Sequence, residues 1–237
     1  MRRRIVLVLL SIAVLAIGVL IVSPRPTQAA TFTVTNLNNG GAGSLRGQLS
    51  LAADGDTIVF DTNLPDNSVI LLTSPIGLGH SVTIDGAAVA GLKISGGGSV
   101  RVFGVNLSVT PTLRNLSVIN GADTAGGCIN ANTINMVNVT ISGCTSTLRG
   151  GGVFLWASTS TLTNVTFSNN HAGTDGGALM VANGATVTIT NGTFSNNTAG
   201  TDGGALAVDN GSVLTVNNGG FSNNTATAGG GAIRNES

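Results

Sequence analysis

The feature that most constrains the chain is a repeat in its second half. Asn164-Val165-Thr166-Phe167-Ser168-Asn169-Asn170 recurs as Asn191-Gly192-Thr193-Phe194-Ser195-Asn196-Asn197, and again from Phe221 to Asn224, with the phenylalanines 27 residues apart both times. Nine or ten residues after each comes a glycine pair opening an apolar stretch: Gly176-Gly177-Ala178-Leu179, Gly203-Gly204-Ala205-Leu206 and Gly230-Gly231-Ala232-Ile233. Weaker copies run upstream, with Ile141 and Val118 at the phenylalanine position and Ile84 as a candidate for an earlier one. Self-similarity at such a period signals stacked units that bury a core only together.

Within a unit the apolar period is two, as in Val187-Thr188-Ile189-Thr190, and each run is short and bounded by Asn and Gly, which is strand patterning. Helix formers are scarce, since only 8% of the residues are charged while 35 are glycine. Three short strands per unit fit one coil of an all-β, right-handed single-stranded parallel β-helix, with coils of about 23–27 residues hydrogen-bonded about 4.8 Å apart along the axis. Leucine-rich repeats share the period but need a leucine every two or three residues, and that pattern is absent. Stacking would put Phe167, Phe194 and Phe221 in one interior column. It would make amide ladders of Asn169/Asn196/Asn223 and Asn170/Asn197/Asn224.

Three segments are expected. Residues 1–29 read as a signal peptide: Arg2, Arg3 and Arg4, an apolar run from Ile5 to Val22, then Thr27-Gln28-Ala29-Ala30 with Ala29 the last residue removed. At 18 residues the run could also serve as an N-terminal membrane anchor. Residues 30–66 form an N-terminal cap with a short helix, N-capped by Ser44, with Leu45, Leu49 and Ala52 on one face and an end near Asp54-Gly55. Residues 67–237 form the β-helix, and because Ser237 arrives midway through a coil, a C-terminal anchoring or translocation module is expected to follow. Removing residues 1–29 takes four of the ten basic residues and leaves six against ten acidic ones, a net negative body. One lysine and no basic stripe exclude nucleic acid as a partner.

The alternation of F-x-x-N with G-G-A-[ILV] over residues 115–237 resembles the repeat of polymorphic outer membrane proteins, surface β-helices often delivered as autotransporters. Thr31 to Asp61, TFTVTNLNNGGAGSLRGQLSLAADGDTIVFD, is similar to the CSLREA-type start of many secreted bacterial β-helix proteins. Gly43-Ser44-Leu45-Arg46 stands where that motif has Cys-Ser-Leu-Arg, and Gly47-Gln48 replaces its Glu-Ala. These resemblances imply a secreted or cell-envelope location, extracellular or outer membrane, and adhesive or structural roles. They imply no single shared reaction.

Asp175 and Asp202 precede successive glycine pairs, and Arg149 holds the equivalent place one coil earlier. These three are the catalytic candidates, as an acid/base pair with a cationic helper or a Ca²⁺ site. The structural alternative is a solvated turn ladder with a weak Arg149–Asp175 ion pair, preferred because nothing else is expected to converge there: Asp209 and Asp123 lie in other columns. His80 and His171 stand apart, so neither a metal site nor a cofactor is expected. Val153-Phe154-Leu155-Trp156 is apolar on both alternating faces. With Val153 and Leu155 inward, Phe154, Trp156 and, one coil on, Met180 form a candidate exposed patch for a host or neighbouring-cell protein or glycan. Otherwise the face is covered. Cys128 and Cys144 fall on adjacent coils and are either a disulfide or two buried small hydrophobes. The expected function is surface display, adhesin-like or structural, without catalysis. A carbohydrate-active β-helix enzyme is the alternative.

Overall fold

The computed structural model describes residues 28–209 and 211–236. The export segment therefore falls almost wholly outside the described residues. Among those described, no helix is long and apolar enough to cross a membrane. The chain winds as an all-β, right-handed parallel solenoid of about eight turns with nearly no helix. One long sheet runs through Thr31–Val34, Thr57–Phe60, Thr83–Asp85, Thr112–Ile119, Asn135–Ser142, Thr159–Ser168, Thr186–Ser195 and Val213–Ser222. A second sheet runs from Ile76–Leu78 to Ile233–Asn235, and a third from Ala122–Ala125 to Thr225–Ala226. Segment 30–66 carries the first two strands of the long sheet as well as a helix.

Register turns the repeat into columns. Phe167 lies opposite Phe194, and Phe194 opposite Phe221. Their rings stack with centroids 5.2 and 4.9 Å apart. Phe167 and Phe194 are fully buried. The same column continues upstream as Ile141, Val118, Ile94 and Ile70. Ile94, and not Ile84, thus holds the next place above Val118; Ile84 lies opposite Leu113 in the neighbouring column. Alternation puts one set of each strand into a single core.

The glycine pairs have distinct roles. Gly176 takes a left-handed φ of 67°, which a side chain would strain. A Cβ on Gly177 would lie 2.2 Å from the Gly204 carbonyl oxygen, so only glycine lets the coils close to hydrogen-bonding distance there. The inner amide ladder runs as expected through Asn170, Asn197 and Asn224. Asn170 Nδ2 donates to Asn197 Oδ1 at 2.9 Å, and Asn197 Nδ2 to Asn224 Oδ1 at 2.9 Å. The other expected ladder is corrected: Asn169, Asn196 and Asn223 serve through left-handed backbone angles of 55°, 56° and 53°. The second ladder is instead Asn218, Asn191, Asn164, Asn138 and Asn115, each donating to the coil before, and it ends on the Asp85 carboxylate.

The helix is shorter than expected, Leu45–Leu49. Ser44 caps it by accepting the Gly47 N–H, Leu45 is buried and Leu49 packs partly against the core. Ser50 already closes it, so the chain leaves the helical path before Ala52, which is buried from the irregular segment after the turn. Arg46 ties this cap to a later coil by donating to the carbonyls of Pro75 and Ser74.

Candidate functional site

Arg149, Asp175 and Asp202 do stack. Gly126 donates its N–H to the Arg149 carbonyl, Gly150 to that of Asp175 and Gly176 to that of Asp202. Their side chains then gather further partners over the outer face of the second sheet. Arg149 Nε is 3.7 Å from Asp175 and its Nη1 3.2 Å from Asp209. Arg234 lies 3.9 Å from Asp175 and 3.4 Å from Asp202, and pairs with Glu236. The expectation that nothing else converges on Asp175 and Asp202 is therefore corrected. Asp209 is in another column, but Arg149 reaches across two coils to it, and Arg234 arrives from the last described coil. Arg234 was findable: it is the outward residue after the third glycine pair, in the column of Phe154, Met180 and Ala207.

Two guanidinium groups thus face four carboxylates. The arrangement cross-links consecutive coils, with both oxygens of Asp175 and one oxygen each of Asp202 and Asp209 facing a guanidinium. Its arginines are a quarter to a half exposed, so each pair stabilises by no more than about 1 kcal/mol. Among the described residues no group of three or more His, Cys, Asp or Glu side chains is arranged to hold a metal ion. The histidines lie far apart in the chain: His80 Nδ1 is 3.6 Å from Asp54, and His171 Nδ1 meets the Thr198 hydroxyl at 2.8 Å.

The apolar patch is partly corrected. Val153 and Leu155 point into the core, and Phe154 and Trp156 point outward and are half-buried. Met180 also points away from the main core, yet it is fully buried. With Ala182 and Ala207 it forms a second small apolar cluster against which Phe154 packs. The physical reason is the ion-pair layer. Arg149 joins Asp175, before strand Leu179–Ala182, to Asp209, after strand Leu206–Val208, and Arg234 closes the column of Phe154, Met180 and Ala207. Trp156 is also held, its Nε1 donating to Asn130 Oδ1 at 3.0 Å. Cys128 and Cys144 are joined in a disulfide. The Cys144 N–H donates to Asn170 Oδ1, so the bridge takes over where the inner amide ladder stops. A separate groove of about 440 Å³ between the second and third sheets is lined by Pro75, Val100, Arg101, Asp123, Thr145 and Thr147. There Arg101 and Asp123 pair at 3.0 Å.

The outer face of the long sheet was not singled out from sequence. Thr31, Thr57, Thr83, Thr112, Asn135, Thr161, Thr188 and Thr215 lie opposite one another through eight strands. Thr163, Thr190 and Asn217 make a parallel column, followed by the exposed asparagine ladder and then Thr140, Thr166 and Thr193. From Asn135 to Ser222 the strands of this sheet carry no charged side chain. A flat, neutral array of hydroxyls and amides, about 4.8 Å apart along the axis, can hydrogen-bond an uncharged polar surface but supplies no group for proton transfer. The signal was the outward Thr of each Thr-x-Thr, legible once the strands were aligned.

No curated protein and no solved structure matches the chain. The family model described as the right-handed beta helix region matches residues 76–237. Those residues hold the second and third sheets and the long sheet from Thr83 onward, and the chain belongs to the right-handed beta helix family.

Proposed function

We propose that the protein is exported and displayed at the cell surface or in the envelope, where it acts as an adhesin-like or structural β-helix without catalysis. The fold is consistent both with surface or structural proteins and with carbohydrate-active enzymes. The observation that carries the first reading is the neutral face of the long sheet. It is the broadest regular surface of the solenoid, and its Thr and Asn side chains suit contact with a glycan or with a neutral protein surface. The likeness of residues 115–237 to polymorphic outer membrane protein repeats, of Thr31–Asp61 to the CSLREA-type start, and of residues 1–29 to an export signal supports the same reading.

The test is a variant with Thr161→Lys, Thr188→Lys and Thr215→Lys, which places like charges on one column. Cells displaying it are expected to lose most adhesion to host or neighbouring cells while the far-ultraviolet spectrum of the purified protein is unchanged. Retained adhesion would remove this face from the function. The enzyme reading draws on the gathering of Asp175, Asp202 and Asp209 around Arg149 and Arg234. Release of reducing or unsaturated sugar ends from a polysaccharide, abolished by Asp175→Asn, would replace the display role with that one.

A further inference from the structure

We propose that the Ala29–Ala30 bond is cut by an export peptidase selective for small residues, and that the new α-ammonium of Ala30 is captured by the Asp56 carboxylate. The inference rests on the export reading and adds the processed state to it. In the cut, water adds across the peptide bond: Ala29 leaves as a carboxylate, and the Ala30 nitrogen takes the proton to become an ammonium.

Three observations place the cut. Thr27 and Ala29 are small residues two apart, the spacing such peptidases read. Gln28, Ala29 and Ala30 are all exposed, so the bond is open to attack. Order in the winding begins at once beyond it. The Ala30 carbonyl accepts the Thr57 N–H at 2.9 Å, and Thr31–Val34 pairs with Thr57–Phe60, so the first described strand pairing lies wholly beyond the cut.

The capture rests on Asp56. Its side chain is buried, and both oxygens are used: Oδ1 accepts the Ala30 N–H at 2.7 Å and Oδ2 the Ala53 N–H at 2.8 Å. Those backbone donors, Ala53 before Ala30, hold its pKa below the ordinary carboxylate value, and His80 adds a weaker attraction. The other charged group of this turn is Asp54, which faces His80. Among the described residues no Lys, Arg or His nitrogen forms an ion pair with Asp56. Among the described residues the buried carboxylate thus has two amide donors and the more distant His80, but no counter-charge in contact with it. Cleavage turns the Ala30 donor into a cation at the same position and makes the bond charge-assisted.

The signs of the pH dependence follow. Asp56, lowered in the folded state, contributes stability above about pH 3.9, lost as pH falls through its lowered value. The Ala30 ammonium, raised by the carboxylate, contributes below its ordinary value of about 7.7–8 and is lost as pH rises through the raised one. Only the cut chain has this alkaline limb.

The experiment uses the processed protein from exporting cells. Its first residue, read by mass spectrometry, is expected to be Ala30. In a Lys93→Arg background the α-amine is the only primary amine, because Lys93 is the one lysine. Acetylating it should lower the melting midpoint at pH 7 by about 2–4 °C and abolish the fall above about pH 8. In Asp56→Asn, acetylation should change nothing. If that variant fails to fold, the alkaline limb of the unmodified protein and its loss on acetylation decide alone. A cut at another bond in an exported protein, or a midpoint indifferent to acetylation, would overturn the inference and leave the export reading standing. Retention of the whole chain in the cytoplasm would sink both.

Discussion

From Asn164 onward the interior column is phenylalanine, the turns beside it are braced by buried asparagine amides, and successive coils take 27 residues. Between Val69 and Ser142 the same column is Ile70, Ile94, Val118 and Ile141, spaced 23 or 24 residues apart, and the place of the inner asparagine is taken at Cys144 by a disulfide. Along this column the pairing runs unbroken through both regions, from Ile70 to Phe221. What a coil must supply is therefore an apolar filler and a satisfied turn, and either of two chemistries meets that demand. The bridge stands where one hands over to the other.

Five variants would break or sharpen this comparison. The largest effect is expected from Phe194→Ala, which removes a ring stacked on both sides and should cost about 3–5 kcal/mol in chemical denaturation. A midpoint unchanged within error would mean that the phenylalanine column is not what holds the downstream coils together. Removing the bridge by Cys128→Ala with Cys144→Ala frees a loop of 16 residues and should cost about 3 kcal/mol. Hydrogen exchange should then quicken at Asn120–Thr145 before it does at Thr186–Ser195. The reverse order would deny the bridge its local role.

Smaller effects separate the two asparagine ladders. Asn197→Ala leaves the Asn170 N–H and the Phe167 carbonyl, both buried, without their partner, at about 1–3 kcal/mol. Asn191→Gly, in the exposed ladder, keeps the left-handed φ of 55° that alanine would strain and should stay within about 0.5 kcal/mol, because water replaces the lost amide. Equal losses at the two sites would show that burial is not what distinguishes them. Arg149→Ala should cost at most about 1 kcal/mol, because its guanidinium is about half exposed in both of its ion pairs. Salt that weakened the unmutated protein and spared the variant would reveal a larger electrostatic share.

The winding was legible in the downstream coils because identical residues recur at one spacing, and a translation repeat needs no knowledge of anything outside the strand. The upstream coils were harder: with isoleucine or valine at the marker position, nothing told Ile84 from Ile94, and only the pairing to Val118 chose between them. The exposed ladder was written in plain view, as an Asn three residues before each of Val118, Ile141, Phe167, Phe194 and Phe221. The partners of Asp175 and Asp202 were not, because Arg149 and Asp209 are 60 residues apart and meet only through the length of an arginine.

By itself the sequence determined the period of the winding, the inward set of each strand and the glycine pairs on which the coils close, since these depend on local alternation and on repetition of one unit. The tertiary structure alone decided which outward residues are wet. Met180 is dry, Thr188 is not, and two cysteines that could have been mere packing are bonded, because an outward side chain's surroundings are set by how far its neighbours on other coils can reach.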